Sequence, residues 1–332
     1  MGRVRAAAVP VATVLVCLLA AGCAGGGGGR DRPGDAPALA APRPGTSVAA
    51  LEFLYSFEND AGAPYYPING IAGCGYGPDG TLFFCDEQKG MVHYLDPSSR
   101  LWAEFDVPMA RPYTPIDVRV DGFKVLVLDQ AGGRIYRFDL GGTLLDTLLE
   151  LRNLTPGFPI TATAFDVDQD GRMVIADASG QQVLLLDTFM NLTMRLGGPG
   201  RMRDQMDHPA GIVFRSDGSF LVSDQGNRRL GLYGRLGFFE DDIGGDFDPG
   251  NRFVAPQGID RDRFGNVFVA DPGSGRIHVL DSRLRWGFSS GPEFGLQAAP
   301  LAPVDLAVGP GDLLAVSDRV RAALLVYRIV YE

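Results

Sequence analysis

One pattern recurs six times along this 332-residue chain and constrains its fold more than any other feature. Each copy is a β-rich run that ends in an aspartate, then a short polar loop and a second β-rich run, as in VFVADPGSGRIHVLD (267–281). These post-strand aspartates follow one another at intervals of 43 to 48 residues and are Asp86, Asp129, Asp177, Asp224, Asp271 and Asp318. Six such units account for residues 49–332.

The content of each unit predicts four short antiparallel strands, which is the blade of a propeller. An apolar stretch leads to a Gly or Asp-Gly turn, and 45 glycines in the chain suit many tight turns. The last unit ends after its third strand, whereas ALEFLYSFE (50–58) precedes the first unit without a blade of its own. We therefore predict an all-β, six-bladed β-propeller whose N-terminal strand joins the last blade and closes the ring.

The best-preserved unit also resembles a known family. PQGI (256–259) followed by GNVFVADPGSGRIHVLD (265–281) is similar to the NHL repeat, and residues 208–230 match nearly as well. The unit at 71–96 departs most, with Cys85 before its aspartate. The resemblance implies a six-bladed propeller over most of the chain. It does not imply one function, because the family includes protein-binding and RNA-binding modules, a peptide-amidating lyase and relatives of metal-dependent lactonases.

The first 48 residues have a different composition. Basic MGRVR, an apolar run and LAAGC resemble a bacterial lipoprotein signal, which implies a signal peptide at 1–22 and a lipid on Cys23. The alternative is an ordinary secretory leader that contains a cysteine. Residues 23–48 then form the lipidated cysteine and a Gly/Pro/Ala tether that we expect to be flexible. We expect an extracytoplasmic protein anchored to the cell envelope, and Ala24 favours the outer membrane where there are two.

The formal charge of −10 argues against nucleic acid as a partner, since that binding depends on Lys and Arg. We expect a monomeric binding or scaffold propeller without a cofactor, whose partner is a protein, peptide or glycan of the envelope. The chain carries no nucleophile elbow, P-loop or Cys-His pair, so the sequence does not establish an enzyme.

Alignment on the post-strand aspartates places one residue of each innermost strand at a mouth of the central channel. These residues are Gly73, Asp117, Ala164, Gly211, Gly258 and Asp305. Two carboxylates there could hold a cation, polarise a water or bind a basic group, or could merely cap strand ends. They define the alternative function, a metal-dependent hydrolase or lyase of the lactonase or amidating-lyase kind, with a cation near Asp117 and Asp305. Only three histidines and no suitable glutamate support that chemistry.

Loops that join the blades should gather around the same mouth and carry aromatic and basic side chains, which commonly anchor partners. The alternative is that about half of them pack the loops down. The ligand-binding candidates, with Asp117 and Asp305, are Tyr65, Tyr66, Arg111, Tyr113, Arg201, Arg203, His208, Phe247 and Arg252.

Three further features have competing structural interpretations. The post-strand aspartates, present in every unit, are predicted to accept loop N–H groups. DVDQDGRMVIAD (166–177) has the spacing of a calcium loop, but its place in the repeat predicts a hairpin turn and a strand. Cys74 and Cys85 would face each other across a two-residue turn and form a disulfide. With a bulged turn after Pro78 they would instead point to opposite faces.

Overall fold

The computed structural model describes residues 45–57, 68–95, 102–108, 112–290, 300 and 302–332. These residues form six four-stranded antiparallel sheets, which confirms the predicted six-bladed β-propeller. The only helical element among them is a single 3-10 turn, Leu151–Asn153. No helix in this part of the chain is long and apolar enough to cross a bilayer.

Each blade is built from strands that follow one another in the chain, except the last. Blade 1 comprises β2 (Ile71–Tyr76), β3 (Leu82–Asp86), β4 (Met91–Leu95) and β5 (Trp102–Glu104). Blade 2 comprises β6 (Pro115–Asp121), β7 (Lys124–Asp129), β8 (Arg134–Asp139) and β9 (Leu144–Glu150). Blade 3 comprises β10 (Ala162–Val167), β11 (Met173–Asp177), β12 (Gln182–Leu186) and β13 (Leu192–Gly197). Blade 4 comprises β14 (Pro209–Phe214), β15 (Phe220–Asp224), β16 (Arg229–Tyr233) and β17 (Phe239–Gly244). Blade 5 comprises β18 (Ile259–Arg261), β19 (Val267–Asp271), β20 (Arg276–Leu280) and β21 (Trp286–Ser290). Blade 6 comprises β22 (Pro303–Gly309), β23 (Leu313–Asp318), β24 (Ala323–Tyr331) and β1 (Val48–Phe57).

The ring closes as the sequence predicted. Strand β1 pairs antiparallel with β24, from Val48 opposite Tyr331 to Phe57 opposite Leu324. The N–H of Gly45 donates to the carbonyl of Glu332 at 2.7 Å, which extends the pairing beyond both strands. Both ends of the propeller are thereby held in one sheet.

Apolar side chains fill the spaces between neighbouring blades. Alternate residues of each strand point to opposite faces of its sheet, so one strand contributes to two such spaces. Phe83 of β3, for example, packs toward blade 2, and Phe84 packs toward blade 6. Six clusters of buried residues lie between the six pairs of adjacent blades. This packing is the main source of the ring's stability.

The post-strand aspartates have the predicted structural function. All six are buried. Asp86 accepts hydrogen bonds from the N–H groups of Gly70, which precedes the innermost strand, and of Lys89 in the loop that follows. Asp271 does the same with Ala255 and Gly273. Each such carboxylate therefore joins two loops at the mouth end of its own blade.

The stretch 166–177 does not form a calcium loop. Asp168 accepts the N–H groups of Asp170 and Arg172 and closes the hairpin turn between β10 and β11. Asp177 lies at the opposite end of β11, where it accepts the N–H of Thr161. The strand separates these carboxylates along its length, as the repeat predicted.

Cys74 and Cys85 are free and buried, so the disulfide that was one of the two alternatives is not present. The N–H of Gly77 donates to the carbonyl of Thr81, and Gly80 has a positive φ of 87°, which is the bulged turn. Cys74 therefore lies opposite Phe84 rather than Cys85. The two thiols point into the spaces on opposite sides of blade 1.

Candidate functional site

The six residues predicted to ring the channel mouth line one cavity of about 260 Å³. Glycines at three of these positions allow the inner strands to approach one another closely. A Cβ on Gly258 would lie 2.3 Å from Oδ1 of Asp305, and one on Gly211 would lie 2.1 Å from the carbonyl oxygen of Gln257. The small residues thus make room for the two carboxylates at the floor of the cavity.

Three further charged residues lie deeper in the channel and were missed by the sequence analysis. Arg119, Asp166 and Asp260 each stand two positions beyond a predicted mouth residue of the same blade. Residues two apart in a strand share a face, so this spacing could have identified them. Arg119 extends the charged floor of the mouth cavity, whereas Asp166 and Asp260 line a second cavity at the other end of the channel.

Arg119 is the counter-ion of the channel. Its Nη1 lies 3.0 Å from Oδ1 of Asp117, and its Nε lies 4.0 Å from Oδ1 of Asp166. Burial alone would lower the pKa of Arg119, but the charges of Asp117, Asp305, Asp166 and Asp260 raise it above its ordinary value. One guanidinium therefore interacts with four carboxylates.

The charge of Arg119 does not offset the burial of four carboxylates, and their pKa values reflect this. Burial raises the pKa of Asp305 to about 7, with a further contribution from the charge of Asp117 and an opposing one from Arg119. Burial also raises the pKa of Asp166 to about 6 and raises the pKa values of Asp117 and Asp260. The channel as a whole thus carries less negative charge near neutral pH than its four carboxylates would suggest.

The donor set does not fit the cation proposed near Asp117 and Asp305. Oδ2 of Asp117 accepts the N–H of Phe165, and its Oδ1 accepts the N–H of Val118 beside the Arg119 guanidinium. Oδ2 of Asp305 accepts the N–H of Cys74. Among the described residues, no group of three or more His, Cys, Asp or Glu side chains could hold a metal ion.

The rim of the cavity is lined by polar side chains, of which only His208 was a predicted site residue. Four of its residues directly follow post-strand aspartates, namely Glu87, Gln130, Gln225 and Arg319. Thr163, His208 and Gln257 complete the polar lining. The position after each repeated aspartate was the signal that could have identified the first four. Glu87 and Arg319 approach each other at 4.0 Å across blades 1 and 6.

Of the loop candidates that the structure describes, only His208 lines this cavity, and its Nδ1 lies 2.6 Å from Oδ1 of Asp207. Tyr113 is buried and packs its ring against Tyr136. Cys23, Tyr65, Tyr66 and Arg111 lie outside the described residues.

The three remaining arginines contact groups away from the cavity. Arg201 approaches Asp246 at 3.8 Å, Arg203 pairs with Asp241 at 2.8 Å, and Arg252 lies over the ring of Trp286. Phe247 is 93% exposed on the loop between blades 4 and 5. The loop candidates within the described residues are therefore not brought together in one site.

No family model matches the chain, and no curated protein matches it. Several solved structures are similar to the chain in fold. A provisionally named gluconolactonase is 16% identical with a TM-score of 0.62, over 86% of this chain and 94% of that chain. A calcium-binding protein, regucalcin, from Agrobacterium tumefaciens is 16% identical with a TM-score of 0.60, over 80% and 92%.

A streptogramin B lyase is 14% identical with a TM-score of 0.59, over 83% of this chain and 97% of that chain. Identities this low establish the fold alone, and the NHL repeat itself stays a prediction. The chain is a six-bladed β-propeller whose structural neighbours include gluconolactonase-type and streptogramin lyase-type propellers.

Proposed function

We propose that the channel mouth binds an uncharged, hydrogen-bonding part of a peptide or glycan of the cell envelope, so that the protein acts as a binding or scaffold propeller. The observation that carries this proposal is the convergence of neutral polar side chains from successive blades on one cavity. Gln130, Thr163, Gln225 and Gln257 come from blades 2, 3 and 4 and from the segment that enters blade 5.

The chemistry of these groups suits amide or hydroxyl ligands. A glutamine side chain offers two N–H donors and one acceptor oxygen, so it can pair with either kind of group on a ligand. The N–H donors of Gln130 already reach the carbonyl of Ala162 at 2.9 Å, which orients that amide at the rim. The carboxylates of the floor are occupied by backbone N–H groups and Arg119, which favours a neutral ligand over a bare cation.

The proposed location follows from the leader. A lipid on Cys23 would anchor the monomeric propeller to the envelope on its extracytoplasmic side, with the outer membrane favoured where there are two. The mouth would then meet envelope components rather than cytoplasmic ones.

Arrays of short peptides and of envelope glycans test the binding proposal. Gln225→Leu and Gln257→Leu should each lower the affinity for any ligand found by roughly tenfold, because each leaves a ligand group unpaired. Gln169→Leu is the matched control, since Gln169 lines the cavity at the opposite end of the channel. Retained affinity in both mouth variants would contradict the proposal.

A second candidate is a hydrolase or lyase, and the solved neighbours support it more than they support binding. They include a lyase and a gluconolactonase by name. In this chain the specific observation is Asp305, a carboxyl at the cavity floor with a pKa raised to about 7. Such a group can take up or release a proton near neutral pH, as general acid–base catalysis requires.

The two candidates separate in an activity assay. Gluconolactone and streptogramin B, the compounds in the neighbours' names, serve as first substrates, with and without divalent cations. Turnover that falls at least about a hundredfold in Asp305→Asn would favour the enzyme. Equal rates in both proteins would remove Asp305 as its acid–base group.

A further inference from the structure

The chain enters the propeller on the face opposite the mouth. Strand β1 begins beside the end of β24, where Val48 lies opposite Tyr331. The side-chain amide of Asn266 donates to the carbonyl of Thr46 at 2.7 Å, and Asn266 ends the hairpin turn between β18 and β19. The hairpin turns that join the first and second strands lie at the end of the blades away from the mouth. The segment before Gly45 therefore joins this opposite face, here called the far face.

Four large apolar side chains are exposed on hairpin turns of the far face. Phe123 lies in the first turn of blade 2 and is 81% exposed, and Phe189 lies in the last turn of blade 3 and is 84% exposed. Leu236 and Phe238, in the last turn of blade 4, are 69% and 66% exposed. These turns belong to three consecutive blades and lie on the same face of the propeller.

The turns themselves do not require these residues. Gly122 and Gly237 supply the positive φ angles, 58° and 87°, beside Phe123 and Phe238. The carboxylate of Asp187 accepts the N–H of Phe189 and closes the turn whatever side chain stands there. Equivalent turns in blades 3 and 4 use polar Asp170 and Asp217. Single exposed apolar residues are ordinary, but several large ones gathered on one face commonly mark a protein or membrane contact.

Charge on the far face does not favour an electrostatic partner. Arg235 pairs with Asp170 at 2.7 Å, and Arg285 pairs with Asp281 at 2.6 Å. Arg263 also pairs with Asp312. Ion-paired arginines attract anionic groups weakly, so we expect any docking here to depend on the apolar side chains rather than on salt-sensitive attraction.

We infer that the far face docks on the surface of the membrane that carries the lipid anchor, with Phe123, Phe189, Leu236 and Phe238 entering the boundary between headgroups and acyl chains. This inference rests on lipid attachment at Cys23, which is part of the proposed function. Residues 24–44 separate that cysteine from Gly45, and even fully extended they span only roughly 70 Å, so the propeller stays near the bilayer and is attached to it through its far face. The mouth then faces away from the membrane and is open to envelope ligands.

Tryptophan scanning in vesicles tests the docking. The full lipidated chain is reconstituted into phosphatidylcholine vesicles with ordinary or brominated acyl chains, and its vesicle association is measured by flotation. Phe189→Trp places a reporter on the far face. Phe247→Trp, at a site 93% exposed on the mouth face, is the matched control. Brominated chains should quench the added emission of Phe189→Trp at least about twofold more than that of Phe247→Trp.

Each outcome decides the inference. Flotation with selective quenching of Phe189→Trp supports it, and quenching that persists in 1 M salt supports the apolar basis. Flotation with equal quenching of both reporters, or with none, overturns docking but leaves the anchor intact. A chain that does not float overturns anchor and docking together. Ligand binding at the mouth, measured on arrays, is a separate result from all three.

Discussion

The carboxylate of Asp305 accepts the backbone N–H of Cys74 at 2.8 Å and so joins the inner strands of the sixth and first blades. The same kind of bond joins three other pairs of neighbours. Asp117 accepts the N–H of Phe165, Asp166 that of Phe214, and Asp260 that of Val308. Channel carboxylates thus link adjacent inner strands in addition to the outer pairing of β1 with β24.

The contribution of the hydrogen bond between Asp305 and Cys74 to stability can be measured by comparing two substitutions of Asp305 that both remove its negative charge. Asp305→Ala leaves the buried N–H of Cys74 without an acceptor, which should lower the free energy of unfolding by roughly 1 to 3 kcal/mol. Asp305→Asn retains an acceptor oxygen and should cost less. Urea unfolding at pH 7 measures both. Equal losses in the two variants would mean that the bond does not stabilise the closed ring.

The raised carboxyl pKa values predict that stability falls as the pH rises from 5 to 8. An aspartate has a pKa near 3.9 in the unfolded chain. In the folded protein the pKa is about 7 for Asp305 and about 6 for Asp166. Between these limits the folded state binds more protons, so deprotonation favours unfolding. The contribution is complete below pH 4 and is lost as the pH passes the folded values. Unfolding in urea at pH 5.5 and pH 8 measures the difference.

Asp305→Asn is the control for that pH dependence. Burial lowers the pKa of His93 to about 4, so below pH 6.5 this imidazole acts in the opposite direction. His93 is present in both proteins, so the difference between their pH profiles reports Asp305 together with its interaction with Asp117. The variant should lose less stability between pH 5.5 and pH 8. Parallel profiles would contradict an Asp305 pKa near 7.

Arg119 should be the most sensitive residue of the channel. Arg119→Met removes the guanidinium that lies against Asp117 and Asp166 and leaves buried carboxylates without a counter-ion. We expect a loss of about 3 to 5 kcal/mol at pH 8, and a smaller loss at pH 5.5, which lies below the pKa values of Asp305 and Asp166. Arg119→Lys keeps the charge and should lose less at pH 8. A loss that does not change with pH would mean that packing, and not charge, is what Arg119 contributes.

The sequence predicted the architecture well because the repeated signal is structural. A buried post-strand aspartate such as Asp86 ties two loops in its own blade, so its spacing counts the blades directly. The unpaired strand at 50–58 predicted the closure for the same reason, because a three-stranded final blade would leave an exposed edge. The six residues around the channel mouth could be predicted by aligning the repeats on their post-strand aspartates.

The site was predicted less completely because its side chains come from different blades and differ in type. Arg119 and Gln225 could be placed by register, but register alone does not show that the Arg119 guanidinium reaches the carboxylate of Asp117. Two loop arginines that were predicted to bind a partner contact other residues of the chain instead. Arg203 and Arg252 find partners on Asp241 and Trp286, contacts that depend on how the loops fold back on the outer strands.

The free cysteines predict a simple titration. A protein of residues 45–332 contains only Cys74 and Cys85, both buried, and burial raises the pKa of both thiols well above the ordinary value. A thiol reagent should react negligibly with the native protein at pH 8, because thiolate is the reactive form. In denaturant without reductant it should count two thiols. No reaction after denaturation would indicate a disulfide and contradict the bulged turn after Pro78.

Two aspartates of the stretch 166–177 should differ sharply in their effect on stability. Asp177 is buried and accepts the N–H groups of Thr161 and Ser179, whereas Asp170 is an exposed turn residue paired with Arg235. Asp177→Ala leaves two backbone donors without their acceptor and should lower the free energy of unfolding by at least about 2 kcal/mol. Asp170→Ala removes only a surface ion pair and should cost less than about 1 kcal/mol. Urea unfolding of both variants at pH 7 measures the difference. A larger loss in Asp170→Ala would contradict the assignment of Asp177 as the residue that holds the two loops of blade 3 together.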